Sequence, residues 1–209
     1  VKVLFICTGN TCRSPMAEAL LRHKSNGKLE VKSAGVFAQN GSSASQQTIQ
    51  VLSENSIACQ HRSRPLDRSL VDWADLLLTM TENHKAILLR DYPEAAFKIF
   101  TLKEYALNQS KSERAYQEFH EKYAELETKR AGFLYELDKK NLSHAEREEE
   151  IEAFQKKTRP ELVELLQLEK NLPDLDVSDP FGGHVEVYRE TYEELDQLID
   201  ELIKKFEKK

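Results

Sequence analysis

The sequence predicts an α/β protein: a four-stranded parallel sheet with helices on both faces, interrupted late in the chain by an all-helical insertion. Three observations carry this expectation. Short apolar runs alternate with stretches of helical spacing through the first hundred residues, and strands joined by helices build parallel sheets covered on both faces. The final stretch of the chain reads as one long amphipathic helix. Charge, finally, is uneven: 27 of the 64 positions of 109–172 are charged, 12 basic and 15 acidic, against 39 of the other 145. The chain therefore divides into a globular part, 1–108 and 173–209, and an insertion at 109–172. A total of 209 residues suits one domain carrying such an insertion.

The elements follow in order. Val3-Leu4-Phe5-Ile6 marks a buried strand over 2–6. A helix is expected over 15–23, with Ser14 as its N-cap and Pro15 at its first position. A second strand covers 29–32, and a helix over 44–54 turns Ile49 and Leu52 inward. Leu76-Leu77-Leu78 centres a third strand over 75–80, followed by a helix around 82–90 and a fourth strand over 97–101. The chain leaves for the insertion and returns through 174–183. Tyr188, Tyr192, Leu195, Leu198, Ile199, Leu202 and Phe206 then line one face of the last helix.

Within the insertion, Tyr116, Phe119, Tyr123, Leu126, Phe133 and Leu137 follow alternating steps of three and four with Arg130 at the missing position, a narrow apolar seam on a long helix. Ser143 with Glu146, and Thr158 with Glu161, have capping-box spacing and predict two further helices. Ile151 and Phe154 would face inward from the first, Leu162, Leu165, Leu166 and Leu168 from the second. With one Gly and one Pro the segment is no flexible linker. It either packs on itself or offers a surface to a protein partner, or serves as a lid.

Composition excludes several classes. A net charge of −6 argues against nucleic acid or an anionic membrane as partner. The longest apolar runs, about four residues, are far too short to span a bilayer, and nothing at the N-terminus reads as a signal peptide. Three cysteines do not make a disulfide framework, so a reducing, cytoplasmic setting is expected. The six histidines are scattered without metal-ligand spacing.

In a parallel α/β sheet the ligand sits beyond the carboxyl ends of the strands, which directs attention to Cys7-Thr8-Gly9-Asn10-Thr11-Cys12-Arg13-Ser14. A tight loop running from a buried strand into a helix N-terminus converges backbone N–H groups on one anion. Gly9 relaxes the backbone there, and Arg13 supplies a planar, two-pronged clamp. Cys7 at the floor of such a cup should have a lowered pKa and attack a bound phosphoryl group in line, forming phosphocysteine. Ser14 can hydrogen-bond the sulfur, and the Asn10 amide can hold the loop's shape. A cysteine six residues before an arginine also fits a buried structural Cys7 ahead of an ordinary turn.

The loop, with Ser33-Ala34-Gly35 after the second strand, His61-Arg62-Ser63-Arg64, Asp75 to Met80, and Asp179-Pro180, resembles the low-molecular-weight protein tyrosine phosphatases, which read C-x-G-N-x-C-R-S-P. The resemblance covers 1–108 and 173–209 and implies a flavodoxin-like fold without metal or other cofactor. It assigns Cys7 as nucleophile, Arg13 as phosphate clamp and Asp179 as general acid, with phosphate held by Thr8, Gly9, Asn10, Thr11, Cys12 and Ser14. It also implies a reversible Cys7–Cys12 disulfide protecting the nucleophile; the residues alone leave Cys12 as a small buried hydrophobe. Without the resemblance, Asp179-Pro180 before two glycines would read as a turn. The insertion is the departure from the family's pattern.

Thr11, where tyrosine-specific members carry a bulky aliphatic residue, and Phe181, followed by glycines rather than by more aromatics, resemble the bacterial protein-arginine phosphatase branch. A threonine hydroxyl can orient a guanidinium, and Phe181 offers a face on which one can stack. Phosphoarginine in proteins is therefore the expected substrate, and phosphotyrosine the alternative. A thioredoxin-coupled arsenate reductase would need relay cysteines, and 82–89 contains none. A scaffold acting through the insertion is the reading from another class. Cys59 is expected in the core, and His61 and Arg62 as holders of neighbouring loops.

Overall fold

Strand β1 (Lys2–Cys7) is buried from its second residue onward. It lies between β2 (Glu30–Gly35) and β3 (Leu76–Thr79), and β4 (Ile99–Thr101) completes an all-parallel sheet of order β2-β1-β3-β4. This computed structural model describes residues 1–107, 110–140 and 142–207. The register sets Cys7 opposite Gly35, Ile6 opposite Thr79, and Thr79 opposite Thr101. The four strands thus end at one edge, and the chain reverses its direction of travel across the sheet beside β1, where open α/β sheets bind ligands.

Alternation along β1 divides the core in two. Val3, Phe5 and Cys7 face a cluster with α1 (Arg13–Lys24), α5 (Leu102–Leu107) and α8 (Val185–Glu207), containing Leu20, Leu21, Leu102, Leu195 and Leu202. Leu4 and Ile6 face Leu70 and Val71 of α3 (Arg68–Trp73) and Leu88 of α4 (Glu82–Asp91). By compactness the chain forms two units, Val1–Asn108 with Leu175–Lys209, and Gln109–Asp174.

Several local expectations are corrected. Helix α1 begins at Arg13, with Cys12 in the N-cap position and no side chain capping it. Ser14 is not the cap and Pro15 not the first position, because the Ser14 hydroxyl is engaged elsewhere, as described below. Helix α2 (Gln46–Glu54) is capped by Ser45 and buries Thr48, Val51 and Leu52, leaving Ile49 40% exposed. Pro93 opens a 3-10 helix that runs to Lys98, so β4 starts only at Ile99. Helices α3 and α5 were not anticipated: each has six residues, too few for a periodic signal.

The second unit has two helices where three were expected, α6 (Ser110–Lys139) and α7 (His144–Lys170). The Ser143–Glu146 capping box forms as predicted. The second predicted box does not, since the Thr158 hydroxyl donates to the Phe154 carbonyl at 2.9 Å. Helix α7 runs through Pro160. Like Lys156, Pro160 is exposed. The helices hold each other on both sides of it, through the Phe133–Phe154 ring stack at 4.2 Å and ion pairs of Lys129 with Glu161 and Lys122 with Glu164. Among the described residues no helix is long and apolar enough to cross a membrane.

Candidate active site

Cys7 is the last residue of β1 and is 3% exposed. The chain turns sharply after it, with Asn10 at φ 54°, a left-handed conformation that asparagine tolerates better than most residues. The turn fits only because β2 ends in glycine: a Cβ on Gly35 would lie 2.5 Å from the Thr8 carbonyl oxygen and 2.9 Å from the Asn10 nitrogen. Asn10 is fully buried and ties the loop together. Its amide donates to Ser14 Oγ at 2.9 Å and Ser33 Oγ at 2.8 Å, and its Oδ1 accepts the Arg64 N–H at 3.0 Å. Ser33 in turn donates to Glu18 Oε2 at 2.5 Å. His61 Nε2 lies 2.8 Å from the Asn10 carbonyl oxygen, and Arg62 donates to the Gly41 carbonyl and the Ser43 hydroxyl.

Ser14 Oγ lies 2.9 Å from Cys7 Sγ. That oxygen also accepts from Asn10, and against a thiolate its own proton can serve the sulfur. The Asn10 backbone N–H also donates to the sulfur, at 3.3 Å. The thiol nevertheless does not titrate as the sequence suggested. Burial pushes Cys7 up from its ordinary value, outweighing the Ser14 and Asn10 donors and the Arg13 charge that pull it down. Burial penalises the thiolate, and Arg13 does not face the sulfur unpaired. Its Nη2 donates to Asp179 Oδ2 at 2.7 Å and its Nη1 to the Val177 carbonyl at 3.2 Å. Arg13 is 5% and Asp179 52% exposed at the side chain, so this is an ion pair with one buried and one open end.

Cys7, Thr8, Gly9, Thr11, Cys12, Arg13, Asp179 and Phe181 line one cleft of about 210 Å³. Asn10 and Ser14 do not: both are buried behind the loop, so their side chains act on the sulfur and the loop rather than on a ligand. No acidic residue occupies the first turn of α1, which leaves its N-terminal dipole free for an anion. Phe181 is 79% exposed at the rim. Cys12 Sγ lies 3.4 Å from the Tyr188 hydroxyl, and Cys7 and Cys12 are both free thiols. Cys59 is half-buried and packs against the larger cluster. Among the described residues no three His, Cys, Asp or Glu side chains group as metal ligands would.

Two features escaped the sequence reading. His84, in the first turn of α4, joins the helix to the loop through Thr8. Asp176 Oδ1 accepts the Glu82 N–H at 2.7 Å, and the Val177 N–H donates to the Met80 carbonyl at 2.8 Å, so the segment bearing Asp179 is seated on the start of α4. Thr81, the N-cap of that helix, was the available signal.

A thiol beneath converging loop amides, with arginine and a carboxyl across the cleft, defines a cysteine-dependent phosphatase. Comparison with known proteins agrees. The sequence pattern of the family described as low molecular weight phosphotyrosine protein phosphatase matches residues 2–143. A protein-arginine-phosphatase of Geobacillus stearothermophilus is 35% identical over 206 residues, 99% of this chain and 96% of that protein. The solved structure of the YwlE arginine phosphatase from Geobacillus stearothermophilus superposes with a TM-score of 0.66 at 35% identity, covering 99% of this chain and 93% of that one. A YwlE arginine phosphatase variant described as having a phosphorylated active site serine superposes with a TM-score of 0.65 at 30% identity, over 100% and 97% of the two chains. The chain belongs to the low molecular weight phosphotyrosine protein phosphatase family.

Proposed function

We propose that this chain hydrolyses phosphoarginine in proteins through a phosphocysteine intermediate. The carrying observation is the cleft that gathers Cys7, Arg13 and Asp179 with Thr11 and Phe181 at its rim. The phosphoryl dianion displaces the Asp179 carboxylate from Arg13 and is cradled by the loop amides. The Cys7 thiol gives its proton to the freed Asp179 carboxylate as its sulfur attacks phosphorus, the phosphorus–nitrogen bond breaks, and Asp179 passes that proton to the departing guanidine nitrogen. Water then attacks phosphorus, Asp179 takes the water's proton, and the sulfur leaves, stabilised by the Ser14 hydroxyl. With a loose transition state, charge placement around the phosphoryl oxygens carries most of the acceleration. Thr11 orients the guanidinium and Phe181 stacks on it. The whole-chain relative named a protein-arginine-phosphatase supports this substrate.

The family's description favours phosphotyrosine as the second reading. Turnover of phosphoarginine and phosphotyrosine peptides, measured side by side, decides: a preference for phosphotyrosine defeats the arginine assignment. Reversible Cys7–Cys12 pairing under peroxide, and docking of a protein partner by Gln109–Asp174, belong to the same proposal. The latter is supported by exposed Tyr123, Leu134, Tyr135, Leu162, Val163 and Leu166.

A further inference from the structure

We propose that His84 is a positioning residue that forces the Thr8 hydroxyl to donate into the cleft, making Thr8 a hydrogen-bond donor to the transferred phosphoryl group. The inference rests on the phosphatase reading above but not on which phosphorylated residue is the substrate.

On this proposal each bond has a direction. Thr81 Oγ1 accepts the backbone N–H of His84 at 3.2 Å and lies 2.7 Å from His84 Nδ1. With that backbone N–H already on the oxygen, the Thr81 proton is assigned to Nδ1, the ring atom in reach. The ring proton must then sit on Nε2, which lies 2.9 Å from Thr8 Oγ1. Thr8 Oγ1 therefore accepts from the ring, and its hydroxyl proton is left to point elsewhere. Thr8 is exposed and lines the cleft beside Cys7 and Arg13, so a bound phosphoryl oxygen is the acceptor in reach.

The ring is held neutral. His84 is 5% exposed, and its pKa is lowered to about 4, by burial first and then by the Arg13 charge, against the opposing pull of Asp176 and Asp179. A protonated ring would still donate to Thr8 from Nε2 but would reverse the Thr81 bond. A neutral ring keeps the order backbone N–H, Thr81, His84, Thr8 intact. The arrangement also explains why a histidine occupies the first turn of a helix that abuts an anion site: it brings a fixed dipole there without a charge that would compete with Arg13.

The test uses the full chain labelled with nitrogen-15 in its histidines. His84, assigned by the loss of its resonances in His84→Asn, should show the Nε2–H tautomer and no titration between pH 5 and about 8, where an ordinary histidine changes charge. Thr8→Val should lower kcat by roughly 100-fold, the scale for one preorganised donor to a developing negative charge, with KM changed little. Thr8→Ser should recover most of that loss. His84→Asn should lower kcat as well, and the double variant Thr8→Val/His84→Asn should be no slower than Thr8→Val alone, because the two act as one unit. The loss should be equal on a phosphoarginine peptide and on a small aryl phosphate. An Nδ1–H ring overturns the assignment whatever the activity, as does unchanged kcat in Thr8→Val or losses that multiply in the double variant. Should His84→Asn fail to fold, His84→Gln serves the assignment instead, and the Thr8→Val and Thr8→Ser pair decides independently of it. A wild-type chain inactive on every phosphorylated substrate would instead defeat the phosphatase reading, leaving the tautomer to judge the network.

Discussion

At the scale of single residues, the site is a competition for Arg13. Asp179 holds its guanidinium at 2.7 Å, and on the proposed mechanism a phosphate-type anion displaces that carboxylate before Arg13 clamps it. Asp179→Asn should therefore have two opposite effects. Turnover on poor leaving groups should fall by roughly 100-fold, the usual scale for a lost general acid, while inorganic phosphate should inhibit more strongly because its competitor is gone. Weaker phosphate inhibition would show that Asp179 does not occupy the anion's place. Cys7→Ser should abolish turnover yet keep phosphate binding, measured by calorimetry, because Arg13 and the loop amides remain. His84 also predicts a pH dependence of stability. Its pKa in the folded chain, about 4, lies below the ordinary value of about 6.5. Between those values the unfolded chain takes up a proton that the folded chain refuses. Stability from this residue is complete above pH 6.5 and declines as pH falls toward 4. Urea unfolding from pH 7.5 to 4.5 should accordingly show a shallower decline in His84→Asn than in the wild type; parallel curves would remove His84 as the cause.

At the scale of elements, what was legible in the sequence was what repeats or what punctuates. Alternating apolar runs located β1 and β3, and the spacing from Tyr188 to Phe206 located α8. The anion loop could be read because its residue types and its place between strand and helix point to one chemistry. Ser14 was misplaced because N-cap spacing looks the same whether the hydroxyl serves the helix or, as here, the Cys7 sulfur. His84 was missed because its importance lies in contacts to Thr8 and Thr81, the first of which is 76 positions away in sequence. The rise in Cys7 pKa was missed for a similar reason, since the burial that causes it is tertiary. Pro160 misled in the other direction, reading as a helix start where α7 continues. Relief of that proline gives a prediction: Pro160→Ala should strengthen α7, since proline is about 3 kcal/mol less favourable than alanine in a helix interior. Hydrogen-exchange protection of the amides around 156–161 should rise, and unchanged protection would mean that the helix is interrupted there in solution.

At the scale of the whole molecule, both apolar clusters draw only on Val1–Asn108 and Leu175–Lys209. Replacing 109–174 with a short Gly/Ser loop should therefore leave a folded protein, as the entropy of closing a loop grows slowly with its length. Turnover of a small aryl phosphate should survive, and turnover of a phosphorylated protein should fall if the hairpin docks substrates. Loss of the fold would show that the core depends on the hairpin.

The same split of the chain has a consequence for biosynthesis. Helix α8, which packs on α1, α2 and α5, leaves the ribosome only after the 66 residues of Gln109–Asp174. At about 5–20 residues per second that is a delay of roughly 3 to 13 s. Throughout it, Leu20, Leu21 and Leu102 await their cover from Leu195 and Leu202, and the nascent chain presents a greasy face to chaperones. The same interval separates Cys7 and Arg13 from Asp179. On the proposed mechanism, the chain during translation holds its nucleophile and clamp before its acid, and competence arrives only after Asp179.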